Sequence, residues 1–241
     1  MKRSLAGVAL LLLSACAGMP PELAGVLEQA AGGGMGSAAL TESEIVAGLK
    51  EALNTGTTRA VGHIGVTDGF WRNPQINVPL PEQVRKVEKT LRTFGQGKMV
   101  DEFHLSLNRA AEAAVPEATA IFVAAIRDMT LSDARRILNG ADNAATEYFR
   151  GKTLPVLTQR FRPIVTRATA SVGATRKYKD LSAKVGKYAS GYQLQDLDAY
   201  VTDKALSGLF ATLAAEEVKI RQDPAARTSE LLKRVFGSRR P

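Results

Sequence analysis

The sequence predicts an all-α fold, a single multi-helix domain over residues 41–237. Three observations predict it. Apolar residues recur at three- and four-residue spacing in one segment after another. Ser, Thr, Asp and Gly stand at the segment ends, where helix caps belong. Only Ile76-Asn77-Val78-Pro79-Leu80 reads as extended, and its proline keeps it short. The chain has 241 residues, 45% hydrophobic and 23% charged, so it is neither disordered nor collagen-like. A single Cys excludes a disulfide framework, and no apolar run reaches the ~20 residues of a membrane-spanning helix.

Met1-Lys2-Arg3 is a basic start, and Leu5 to Leu13 is an apolar run too short to span a bilayer. Leu13-Ser14-Ala15-Cys16 follows at once and resembles a bacterial lipobox, which implies lipid transfer to the Cys16 sulfur and cleavage before it. Residues 1–15 are therefore expected to be a lipoprotein signal peptide. Residues 16–40 are the lipidated Cys and a flexible tether, with six glycines between 17 and 40. As a coil that stretch spans ~25–30 Å. Ala17 follows the cysteine where inner-membrane lipoproteins of many Gram-negative bacteria carry Asp. The expected location is the cell envelope, lipid-anchored on the periplasmic face, with the outer membrane favoured over the inner.

Thr41-Glu42-Ser43-Glu44 is a capping box, and Ile45, Val46, Leu49, Ala52 and Leu53 follow at helical spacing. Ala60, Val61 and Ile64 resume the face beyond Asn54-Thr55-Gly56. A second helix begins near Pro81, with Val84, Val87, Leu91 and Phe94 as its stripe and Gly95 as its stop. Residues 100–129 carry a long periodic pattern in which Pro116 either kinks one helix or begins another. Ser132 and Asp142 read as caps of two short helices, the second carrying Tyr148-Phe149. A longer helical region spans 154–187, interrupted near Pro163 and Gly173. The clearest helix is 197–221, and Thr228 or Ser229 caps a last one ending at Gly237, before a tail at 238–241.

The charge is uneven. The 32 Lys and Arg exceed the 24 Asp and Glu, for a net +8. Residues 150–187 hold ten basic residues against Asp180 alone. Arg160, Arg162, Arg167, Arg176, Lys177, Lys179, Lys184 and Lys187 are thus candidates for binding an anionic surface. They could equally dock on acidic helices or remain solvated. Phe70 and Trp71 form a candidate loop site in the irregular stretch from Asp68 to Pro81. Long loops with aromatic residues often bind ligands, and equally these rings can plug a core. Asp101, His104, Asn108 and Glu112 share one helix face, which reads either as a metal-ligand stripe or as a solvated polar face opposite the core. Arg109 and Glu112 are spaced for an ion pair. His63 and His104 are the only histidines and sit in no catalytic motif, and Gly32-Gly33-Gly34 lacks the Lys-Ser/Thr of a phosphate loop.

Many ordered pieces across residues 45–237 resemble one bacterial family. They include Gly48-Leu49-Lys50-Glu51-Ala52-Leu53, Asp68-Gly69-Phe70 with Asn73-Pro74, and Val78-Pro79-Leu80-Pro81. Further along come Asp101-Glu102-Phe103, Asn108-Arg109-Ala110-Ala111-Glu112, Asp196-Leu197-Asp198, Gly208-Leu209-Phe210 and Val235-Phe236-Gly237. The family is the domain of unknown function numbered 4197, in which Met is usual where this chain has Leu107. The resemblance implies a helical periplasmic lipoprotein or secreted domain, and supplies no activity and no catalytic residues. The expected function is a non-enzymatic binding or scaffolding component at the periplasmic membrane surface. A helical carrier of a lipid or small apolar ligand is the alternative, and an uncharacterised hydrolase-type enzyme the third. The expected partners are the membrane, through the lipid anchor, and an anionic lipid or acidic envelope protein. No cofactor, metal or nucleic acid is expected.

Overall fold

A computed structural model describes residues 41–171, 173–186 and 196–237, all within the compact unit Leu40–Pro241. The signal peptide, Cys16, the tether, Lys187 and the tail lie outside the described residues, as does the Lys184 side chain. Every regular element among the described residues is a helix, so the fold is all-α.

Helix α1 (Glu42–Ile64) opens with the predicted capping box: Thr41 accepts from the Glu44 N–H while Glu44 reaches back to the Thr41 N–H. Asn54-Thr55-Gly56 does not break it, because Leu53, Thr57 and Ala60 are buried on either side and packing carries the helix through. An irregular loop, 65–81, leads to α2 (Glu82–Thr93). Pro81 is the residue before this helix rather than its first residue. Val84 and Leu91 are buried, but Phe94 is 63% exposed and lies off the predicted stripe: the helix has ended before it. Pro116 sits in a single 3-10 turn, Val115–Glu117, that joins α3 (Gly97–Ala114) to α4 (Ala118–Arg127).

Four expectations fail in the next segment. The cap of α5 (Leu131–Asn139) is Thr130, not Ser132, and Asp133 completes its box. The second short helix, the predicted break at Pro163 and the predicted cap at Asp142 give way to one helix, α6 (Ala144–Ser171). Pro155 and Pro163 both face solvent. The carbonyls of Gly151 and Gln159, which they cannot bond, are on that side too. Thr146 apart, its buried residues Ala145, Phe149, Thr153, Leu157, Phe161, Val165 and Thr169 recur every fourth residue. Each step overshoots a full turn by ~40°, so the stripe winds around the helix. Helix α7 (Ala174–Gly186) follows, then α8 (Leu197–Gln222), with Asp196 capping Ala199. A 3-10 turn, Pro224–Ala226, and α9 (Glu230–Gly237) close the domain, with Ser229 accepting from the Leu232 N–H.

Helices α6 and α8 pack on each other as the central pair. Helix α1 packs on α8 and gathers α4, α5 and α9. Helix α3 packs on α6 and α8 and gathers α2 and α7. Six phenylalanines are fully buried: Phe70, Phe103, Phe122, Phe149, Phe161 and Phe210. Phe122 meets Phe149 at 5.2 Å and Phe210 at 6.2 Å between ring centroids, tying α4 to both central helices. Gly48 lets α9 approach α1, since a Cβ there would lie 2.6 Å from Val235 Cγ2. Arg234 of α9 reaches Glu44 at 2.9 Å.

Candidate functional site

Two places in this fold concentrate polar side chains, and they differ in kind. The first is the seam between α3 and the 65–81 loop. A loop that crosses the domain must bond its own backbone groups, and α3 supplies the partners. Glu112 is buried, and its Oε1 accepts from the N–H groups of Phe70 (3.0 Å) and Trp71 (3.1 Å). Its Oε2 accepts from Arg109 Nη1 at 2.7 Å, and Arg109 Nη2 reaches Asp68 at 2.6 Å. One helical turn back, Asn108 acts on Val78 as a neighbouring strand would: Oδ1 accepts from the Val78 N–H (2.8 Å) and Nδ2 donates to the Val78 carbonyl (3.1 Å). This explains how 76–80 stays extended without a sheet.

His104 completes the seam. Asn77 Nδ2 donates to the Trp71 carbonyl, which turns its Oδ1 toward His104 Nε2 at 2.9 Å, with the Val78 carbonyl at 3.0 Å. Both neighbours are acceptors, so Nε2 carries the hydrogen. Burial holds the imidazole pKa below its ordinary value, opposed by the bond to Val78. Trp71 is half-buried, edge-on to His104 at 5.0 Å, whereas Phe70 is fully buried. Its ring stands against Gly208 of α8, where a Cβ would come within 2.6 Å of Phe70 Cε1. The candidate loop site is thus a plug and its clamp. Asn108 and Glu112 are neither solvated nor gathered as metal ligands, and Asp101 lies apart, paired with Arg92 at 2.6 Å. Among the described residues no three His, Cys, Asp or Glu side chains converge as a metal site requires. His63 is exposed, with Nδ1 4.0 Å from Glu216.

Sequence reasoning missed a second buried carboxylate. The open N-terminus of α6 is capped from α8: Glu217 accepts from the N–H groups of Ala145 and Thr146 and the Thr146 hydroxyl, each at 2.9 Å. Arg221 neutralises it at 2.8 Å. No local motif announces such a cap. The signal available was two adjacent glutamates, Glu216-Glu217, directly after the uncharged run 205–215 of the helix.

The family model described as Protein of unknown function (DUF4197) matches residues 39–237. The chain belongs to that family. Searches of curated proteins and of solved structures return no match. Three of the pieces by which the sequence resembles DUF4197 meet at the seam: Asp68-Gly69-Phe70, Val78-Pro79-Leu80-Pro81 and Asn108-Arg109-Ala110-Ala111-Glu112. The piece containing Gly208 backs the Phe70 ring.

The second polar place is the outer surface of α6 and α7. Lys152, Arg160 and Arg167 are exposed along α6, with Val156 (45% exposed) and Pro163 between them. Arg160 and Arg167 are seven residues apart, two turns along one face. Arg176 and Lys179 are exposed on α7, opposite its buried Ala174, Tyr178 and Leu181. Arg160, Arg167, Arg176 and Lys179 make no ion pair with any described residue. Two other predicted members are engaged: Arg162 with Asp196 at 2.5 Å and Lys177 with Glu102 at 3.3 Å.

Beside this surface, between α4 and α6, runs an open groove of about 670 Å³. Ala120, Ile121, Ala124 and Val156 form its apolar part. Lys152 and Arg160 line it from α6, Glu117 and Asp128 from the α4 side. Inside the domain, near Leu53, Glu217 and Phe236, a void of about 20 Å³ has room for one water. No helix among the described residues is long and apolar enough to cross a membrane.

Proposed function

We propose that this protein is a lipid-anchored envelope component that binds or scaffolds, without catalysis, at the periplasmic membrane surface, with the outer membrane favoured. The observation that carries the proposal is the outer surface of α6 and α7, where Arg160, Arg167, Arg176 and Lys179 stand exposed with no acidic partner among the described residues. Lys or Arg near an anionic bilayer gains about 1 kcal/mol per residue, decaying within a Debye length of ~8 Å. Four such residues would contribute ~4 kcal/mol if all reached the surface together. A lipid on Cys16 would hold the domain at high effective concentration near that surface, so modest attraction suffices to orient it.

The test separates anchor from surface. In cells given labelled palmitate, the wild-type chain should incorporate label and Cys16→Ser should not; labelling of Cys16→Ser would end the lipoprotein proposal. The unlipidated chain from Ala17 to Pro241 should bind anionic vesicles at low salt, release them at high salt and ignore neutral ones. Reversing Arg167, Arg176 and Lys179 to Glu should remove that binding while leaving thermal unfolding unchanged. Equal binding to neutral and anionic vesicles would show that these cations do not recognise an anionic surface.

A further inference from the structure

The groove between α4 and α6 has features that a solvated crevice does not need. Its apolar part is left open, with Val156 45% exposed at the lining and Val123 51% exposed next to Ala124. Its charges are of both signs, one sign to a wall. Neither Lys152, Arg160 nor Glu117 makes an ion pair with a described residue, and Asp128 is engaged only by its exposed neighbour Arg127. The buried carboxylates Glu112 and Glu217, by contrast, each have a cation beside them. Here the acidic residues line the α4 side and the basic residues the α6 side of a space that a small molecule could fill. Glu117 and Asp128 are eleven residues apart, ~16 Å along the helix, and Lys152 and Arg160 are ~12 Å apart.

We infer that this groove binds a single glycerophospholipid with a zwitterionic, phosphate-and-ammonium headgroup, an inference that rests on the membrane-surface proposal above. The phosphate pairs with Lys152 or Arg160 and the ammonium with Glu117 or Asp128. Part of one acyl chain covers Ala120, Ile121, Ala124 and Val156. Charge complementarity selects this occupant: a purely anionic headgroup would leave the α4 carboxylates facing phosphate, and a neutral amphiphile would leave Lys152, Arg160 and Glu117 unmet. The small alanines leave room for a chain, and the charges at the rim stay within reach of water, so their desolvation is limited.

The probe is dihexanoyl phosphatidylethanolamine below its micellar concentration, titrated by calorimetry into the unlipidated chain from Ala17 to Pro241, with stoichiometry read by native mass spectrometry. One equivalent is expected to bind. Ala124→Trp fills the groove and should weaken binding about 10- to 50-fold, the equivalent of two or three methylenes losing their contact. Ala120→Trp, at a more exposed position, serves if Ala124→Trp lowers the unfolding midpoint. Lys152→Glu with Arg160→Glu should also weaken binding. Glycerophosphoethanolamine, which lacks chains, and dihexanoyl phosphatidylglycerol, which lacks the ammonium, should both bind more weakly. No binding of the probe, equal binding by both Trp variants, or equal binding of the chainless headgroup would overturn the lipid site. Equal binding of phosphatidylglycerol would overturn the role of Glu117 and Asp128. Reversal of Arg167, Arg176 and Lys179 should remove vesicle binding and spare this site, so the two proposals can fail separately.

Discussion

The α3 seam and the α6 outer surface carry similar side chains toward opposite ends. At the seam Glu112, Arg109 and Asp68 form an unbroken chain of ion pairs that ends on backbone N–H groups, and the loop they hold cannot leave without exposing all of them. On the outer surface Arg160, Arg167, Arg176 and Lys179 hold nothing in the domain. Charge that is buried and bonded specifies a structure; charge left unpaired at the surface adds little to stability and stays available to a partner. The number of charges in a segment therefore says less than where their hydrogen bonds end.

The contrast can be broken, and the largest effect belongs to the seam. Glu112→Ala leaves Arg109 half-neutralised and the buried Phe70 and part-buried Trp71 N–H groups unpaired. It should lower unfolding free energy by about 3–5 kcal/mol, read from urea denaturation. A loss under 1 kcal/mol would mean the clamp is ornamental. Asn108→Ala removes the Val78 clamp at a cost of about 1–3 kcal/mol. Gly208→Ala should cost a similar ~1–3 kcal/mol, because Phe70 is enclosed and cannot step back. Arg160→Glu and Arg167→Glu should each shift stability by no more than ~0.5 kcal/mol, and a larger loss would show that these charges serve the fold.

The smallest effect is a pH dependence. His104 is held below its ordinary pKa of 6.5 in the folded protein, first by burial, with Glu88 and Asp101 opposing and Arg92 assisting. On acidification from above 6.5, the unfolded chain takes up this proton before the folded one, so stability should fall through the interval just below 6.5. His104→Gln should flatten the stability profile there relative to wild type. An unchanged slope would detach His104 from the titration.

Local rules carried much of the fold. The Thr41 box, the 197–221 stripe, the Gly95 stop and the Arg109–Glu112 pair need only nearest neighbours, and all are present. Helix α6 was not legible as one element. Its buried positions drift around the axis, so no fixed face appears in the sequence, and its two prolines read as breaks although solvent takes up the carbonyls they orphan. The Asp142 cap failed for a related reason: Asp142 accepts from Gln222, while Glu217, distant in sequence, closes the helix end. At the seam the right side chains stood out, but periodicity offered Asn108 and Glu112 only as metal ligands or as part of a wet face. The corrective lay in the loop: an extended stretch with no strand to pair with must take its hydrogen bonds from somewhere, and the polar stripe of α3 was the nearest source. The groove has no sequence signature at all, since its walls come from helices that meet only in the folded chain.

The seat of Val235 on Gly48 and the bond from Arg234 to Glu44 join positions 187 and 190 apart in the chain. Helices α1 and α9, the first and last of the described residues, are therefore in contact, and the apolar face of α1, including Leu49 and Leu53, has no complete cover until α9 has been made. Helices can form early and locally, but this closure is non-local and its entropy must be lost before packing repays it. Synthesis from the N-terminus cannot complete this packing until α9 has emerged. A chain ended after Asp223 would keep α1 to α8 and still lack the latch, so the eight residues of α9 are the last part of the α1 cover to be made.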